Sequence, residues 1–127
     1  MAVNTNPIFI DSVRSENAVV TTGAPTTPVT LITGGTDGSR VDSVVVAAVG
    51  TTNVAARYQI LLVVSGGTAR VLHDAVIDQI TVSGGTAPFQ ETVNVNAFLK
   101  DNTSELQVVM TASPGANLEF TAHGGDF

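Results

Sequence analysis

Short runs of β-branched and apolar residues, each closed by glycine, proline or asparagine, leave this chain little alternative to folding as strands. The pairs Gly34-Gly35, Gly66-Gly67, Gly84-Gly85 and Gly124-Gly125 each follow such a run. Glycine supplies the positive φ that tight turns demand, so these pairs are expected to be turns. Ser65-Gly-Gly-Thr-Ala69 recurs as Ser83-Gly-Gly-Thr-Ala87, but the flanking segments do not match. The recurrence therefore reads as shared turn chemistry and not as a solenoid repeat.

Strand candidates span residues 17–22, 28–33, 40–49, 55–64, 70–82, 89–97, 105–111 and 117–123. Two of them alternate cleanly. Val93, Val95 and Ala97 oppose Asn94 and Asn96, while Leu118, Phe120 and Ala122 oppose Glu119 and Thr121. Such alternation predicts a sheet with one dry and one wet face, and Leu106, Val108 and Met110 add a third apolar row. From Val44 to Val49 and from Ile60 to Val64 both faces are apolar. Such strands run through the centre of a two-layer sandwich or turn an outer face to another subunit. Val44, Val46, Leu61 and Val63 are accordingly the expected self-association residues. The 70–82 run is long for one strand, so a bulge or bend is expected near Asp74–Asp78. No segment keeps a helical period for three turns; 96–101 has room for one helical turn at most. The expected fold is all-β: a single-domain sandwich or jelly roll of about eight antiparallel strands.

Composition narrows the function. The chain of 127 residues fits one domain, and 43% hydrophobic content is enough for its core. Only 13% of residues are charged, about half the usual share, which suggests surface covered by other protein. Net charge is −6, and the five basic residues, Arg14, Arg40, Arg57, Arg70 and Lys100, are scattered. Neither nucleic acid nor an anionic membrane is an expected partner of such a chain. There is no cysteine, hence no disulfide, thiolate nucleophile or thiolate metal site. No stretch reaches the ~20 apolar residues of a membrane span. The N-terminus lacks a basic region followed by an apolar run, so a cytoplasmic, soluble product is expected.

Catalytic machinery is not evident. His73 is followed by Asp74, and neighbours on a strand point to opposite faces, so the pair is no ready-made dyad. His123 stands beside Gly124, and no Gly-x-Ser-x-Gly elbow occurs. Asp74 and Asp78 on one strand would lie about 13 Å apart, too far to share an ion. The loop from Asp37 to Asp42 lacks the dense spacing of an EF-hand. With no Trp and only Tyr58, stacking of sugar rings is poorly served. The expectation is a non-enzyme with neither cofactor nor metal.

The ends differ from the middle. Residues 1–7 are polar and close on Pro7, which separates an N-terminal arm, 1–10, from a domain over 11–127. Ile8-Phe9-Ile10 reads either as an edge strand ended by Asp11 and Ser12 or as a hook that docks on a partner.

Several passages carry a resemblance. Asn4-Thr-Asn-Pro-Ile-Phe9, Gly38-Ser-Arg-Val-Asp-Ser-Val-Val-Val46, Arg57-Tyr58, Leu72-His73 and Phe120-Thr-Ala-His-Gly-Gly-Asp-Phe127 stand in order over most of the chain. Together they resemble small structural proteins of tailed bacteriophage virions. The resemblance implies a sandwich or jelly-roll subunit, a homotrimer, that decorates the capsid exterior as a cement protein. The major capsid protein would be its partner, with Asn6, Pro7, Ile8, Phe9 and Ile10 as the contact. The alternative within the resemblance is a tail or head-fibre accessory protein that meets the host surface through loops 22–28 and 111–117.

Overall fold

The computed structural model describes residues 10–64 and 67–127. Its strands are β1 (Ser12–Val20), β2 (Val29–Thr33), β3 (Ser39–Ala48), β4 (Ala56–Val64), β5 (Arg70–Ile77), β6 (Gln90–Leu99), β7 (Ser104–Met110) and β8 (Leu118–Asp126). They form two four-stranded sheets, ordered β1-β8-β3-β6 and β2-β7-β4-β5. The order has a simple origin. β1 pairs with β8, β2 with β7, β3 with β6 and β4 with β5, all antiparallel, so the chain is one long hairpin folded at the β4–β5 connection. Wrapping that hairpin on itself adds the β3–β8 and β4–β7 pairings and makes a jelly roll.

The expected alternation sets the inner faces. Leu118, Phe120 and Ala122 of β8 and Leu106, Val108 and Met110 of β7 face each other across the core. Tyr58 is wholly buried and meets Phe120 edge-on, with ring centroids 5.8 Å apart.

Several expectations need correction. Val44 and Val46 have no exposed surface; they point inward and fill the core, so they cannot join subunits. The doubly apolar stretch of β3 arises because β3 is a central strand, with Val45 and Ala47 only partly exposed on the other face. Asp11 and Ser12 do not end a strand: β1 begins at Ser12 and pairs with β8 along its length. β5 stops at Ile77, and its irregularity falls at Leu72, between Val71 and His73, not near Asp74–Asp78. The 96–101 segment holds no helical turn, because β6 runs on to Leu99. β6 carries instead a bulge of Val95 and Asn96 opposite Asp42, with Asn96 at a φ of 45°. Asparagine is among the few L-residues that tolerate this left-handed conformation.

The glycine pairs were expected to supply positive φ, yet among the described residues the positive-φ glycines are Gly38, Gly50 and Gly115. Gly124 and Gly125 lie inside β8, where small size matters and backbone freedom does not. A Cβ on Gly124 would overlap the carbonyl oxygen of Arg40, and one on Gly125 would overlap Ile10.

Candidate functional site

Strand direction gives the sandwich two distinct ends. β1 starts opposite Asp126 and finishes opposite Leu118, so the start of β1, the C-terminus and the 34–38 and 100–103 connections share one end. The 21–28, 49–55, 78–89 and 111–117 connections gather at the other. About 30 Å of strand separates them.

At the arm end, Ile10 seats against Gly125, and the Asp11 amide donates to the Asp126 carbonyl at 2.7 Å. Asn6, Pro7, Ile8 and Phe9 lie outside the described residues. Behind Ile10 a polar network ties the two sheets. Arg14 donates to the Thr33 carbonyl at 2.7 Å, to Asp126 at 3.1 Å and to Glu16 at 3.1 Å. The buried Ser39 hydroxyl donates to Asp126 at 2.5 Å and accepts from the Gly35 amide at 2.8 Å. Sequence reasoning missed this network, because Arg14 and Asp126 are neighbours only after β1 pairs with β8.

The network sets the ionisation of Asp126. The Ser39 hydrogen bond holds its carboxyl below the usual carboxylate range, burial opposes this, and Arg14 reinforces it. Arg14 is in turn moved up: burial works against its charge, but the hydrogen bonds and charges of Asp126 and Glu16 outweigh it. For Asp126 the folded pKa lies below the unfolded one. Its contribution to stability is therefore complete above the usual carboxylate range and is lost as pH falls through the depressed folded value. Ser39→Ala is expected to raise the Asp126 pKa toward its ordinary value and to move the acid-unfolding limb to higher pH. It should also cost about 1–3 kcal/mol, since the Gly35 amide loses its acceptor. Carboxyl chemical shifts followed through an acid titration check the first effect, and denaturant unfolding checks the second.

The loop end is chemically different. Its four connections hold one charged residue, Asp78, and are otherwise rich in Thr, Ser, Gly, Ala and Pro. They are bound to one another. The Thr22 amide donates to Asn117 Oδ1 at 3.0 Å, the Met110 amide to the Pro25 carbonyl at 2.9 Å, and the Asn53 amide to the Pro114 carbonyl at 3.0 Å. Buried Thr52 joins the fourth connection, 78–89, to 49–55: its hydroxyl donates to the Asp78 carbonyl at 2.7 Å and accepts from the Ile80 amide at 2.8 Å. The 22–28 and 111–117 loops thus do come together.

The histidines lie on opposite sides of the fold. His123 shares a 2.9 Å hydrogen bond with Ser15 on the exposed face of the β1-β8-β3-β6 sheet, where Asn17 donates to Thr121 at 3.1 Å. His73 lies at the open edge between β5 and β6. Its ring centroid is 5.6 Å from that of Tyr58 and its Nε2 is 4.0 Å from Glu91, to which the Tyr58 hydroxyl donates. Asp74 turns away from His73 and meets Arg57 at 3.5 Å and Gln59 at 3.0 Å. Among the described residues, no group of three or more His, Cys, Asp and Glu side chains is placed to hold a metal ion. Leu61 and Val63 point outward from β4, but Leu61 is only 8% exposed.

No protein-family model matches the chain, and no curated protein matches it. Solved structures from infectious bursal disease virus do align with it at low similarity. VP2 in the infectious bursal disease virus subviral particle aligns at TM-score 0.33 and 12% identity, covering 99% of this chain and 37% of that one. The same virus's T13 particle gives 0.35 and 13% with 99% and 35% covered, and its Gx strain gives 0.35 and 15% with 99% and 37% covered. The chain spans little more than a third of the length of those proteins.

Proposed function

We propose that this chain is a structural subunit of a bacteriophage particle, a decoration protein that binds the outside of the capsid through its N-terminal arm. The observation that carries the reading is the placement of the arm root. Ile10 seats on Gly125 at one end of the jelly roll, with the loops about 30 Å away at the other. Residues 6–10 can therefore engage the major capsid protein without disturbing the core. Each subunit contributes a modest contact, and many symmetric copies make the total large.

A second reading has an observation of its own. The 22–28 and 111–117 loops are hydrogen-bonded to each other in one uncharged surface, which suits a tail or head-fibre accessory protein meeting the host. One experiment separates the two. Purified protein is incubated with expanded capsids that lack it and, in parallel, with host cells, and the amount left in solution is measured. Decoration predicts depletion by capsids only. It also predicts that deleting residues 2–9, which leaves Ile10 on Gly125, abolishes capsid binding with an unchanged circular dichroism spectrum. Depletion by cells alone, or undiminished capsid binding after the deletion, overturns the decoration reading.

A further inference from the structure

Strand register arranges the outward face of the β1-β8-β3-β6 sheet as four rows that cross all four strands. The two middle rows hold no Asp, Glu, Lys or Arg and consist mainly of Ser, Thr and Asn. The row at the arm end contains Val13, Arg40 and Phe98; the row at the loop end contains Val19, Glu119 and Ala47. Val13 is 88% exposed and Phe98 65%, so the isolated subunit leaves large apolar side chains in water on this face. Depletion of charge with exposed apolar groups is the composition of an interface centre.

Three charged residues stand on this face: Arg40 with its neighbour Asp42 at the arm end, and Glu119 at the loop end. Glu119 meets no basic side chain among the described residues, and Arg40 meets only Asp42, at 2.8 Å, although a guanidinium has donors for a second carboxylate. They stand on adjacent central strands at opposite ends of the face. A two-fold axis lying between two such faces, and running nearly across the strands, lays the first row of one copy on the last row of the other. A slight tilt of that axis shifts the facing rows by one strand and puts Arg40 over Glu119 of the second copy and Phe98 over its Ala47. Because the operator is two-fold, every contact occurs twice. The strands of the two copies then cross at roughly 30°, the angle at which aligned sheets pack. The face measures about 19 by 27 Å, roughly 500 Å² in projection and more in accessible area. A standard interface needs about 600–1,000 Å² from each partner. The other sheet suits this role less well: its outward Asp74 and Glu105 are already bound by Arg57, Gln59, Thr30 and Gln107 of the same subunit.

We infer that the outward face of the β1-β8-β3-β6 sheet is a two-fold interface between copies of this chain, with Arg40 of each copy against Glu119 of the other. The pair carries its two arm roots at opposite ends, so on the function proposed above one pair would bridge two shell sites. That consequence rests on the decoration reading; the pairing itself does not.

Sedimentation equilibrium of the full chain at up to about 1 mM, the weak limit of useful association, tests the pairing. The expected mass is that of two chains. Arg40→Glu and Glu119→Arg should each weaken association about tenfold or more, and the double reversal should restore it. Thr92→Lys, at an exposed position in a middle row, replaces either single variant if that one fails to fold. A single-chain mass at every concentration, a three-chain mass, or single reversals that leave the mass unchanged overturns the inference. Capsid depletion is measured separately, so a failed pairing and a failed decoration role give different results.

Discussion

Phe120→Ala is expected to lower the unfolding free energy by about 3–5 kcal/mol, the range for removing a fully buried aromatic ring. Phe120 has no exposed surface, and its position couples the sheets. It stands on β8 between Ala18 of β1 and Val46 of β3, and its ring meets Tyr58 of the opposite sheet edge-on. Alanine would leave a cavity at the meeting of three strands and the facing layer. The surrounding strands are held by ladder hydrogen bonds on both sides and have little freedom to collapse into it. Urea denaturation followed by far-UV circular dichroism measures the loss, and an unchanged slope with a lower midpoint would show that cooperativity survives.

Gly124→Ala should have an effect of comparable size for the opposite reason. The glycine is inside β8, opposite Arg14 on one side and Val41 on the other. An added Cβ would overlap the Arg40 carbonyl and come within 2.9 Å of the Val41 Cα, and neither backbone group can swing aside as a side chain tip would. The β3–β8 ladder must open or shift, at a cost on the order of 3 kcal/mol. Gly84→Ala is the matched control. Its Cβ meets nothing within 4 Å, so a change within about 0.5 kcal/mol is expected. Equal effects at the two positions would remove the close-approach explanation of Gly124.

These two positions show how far residue patterns carry. Phe120 was legible, because Leu118, Phe120 and Ala122 alternate against Glu119 and Thr121, and period-two alternation states which face is dry. Gly124 was misread as a turn, because a Gly-Gly pair after an apolar run has the same local appearance at a turn as at a tight strand crossing. Val44 and Val46 were misread for a related reason. A run of apolar residues reports burial on both faces, but not whether the covering layer belongs to the same chain or to another copy.

The candidate surfaces were legible only in part. Loops 22–28 and 111–117 were named only as host-facing loops of the alternative reading; the hydrogen bonds that join them link residues far apart in the chain, such as Thr22 and Asn117. The Arg14, Ser39 and Asp126 network likewise joins residues that only the β1–β8 and β3–β8 pairings bring within reach. The pairing of Arg40 with Glu119 across two copies is a statement about strand register, which single-chain patterns do not carry.

By itself, the sequence determined the all-β class, the number and near-boundaries of the strands, and which residues of the alternating ones face the core. Side-chain periodicity and turn chemistry are local, so local residues suffice to state them. Only the tertiary structure decided the wrapped-hairpin order of the strands, the charge-poor loop end set against the more highly charged arm end, and the role of Gly124-Gly125 as the place where β8 passes close to its neighbours. Those properties depend on which strands become adjacent, and adjacency is a long-range outcome of burying both sheets against one another at once.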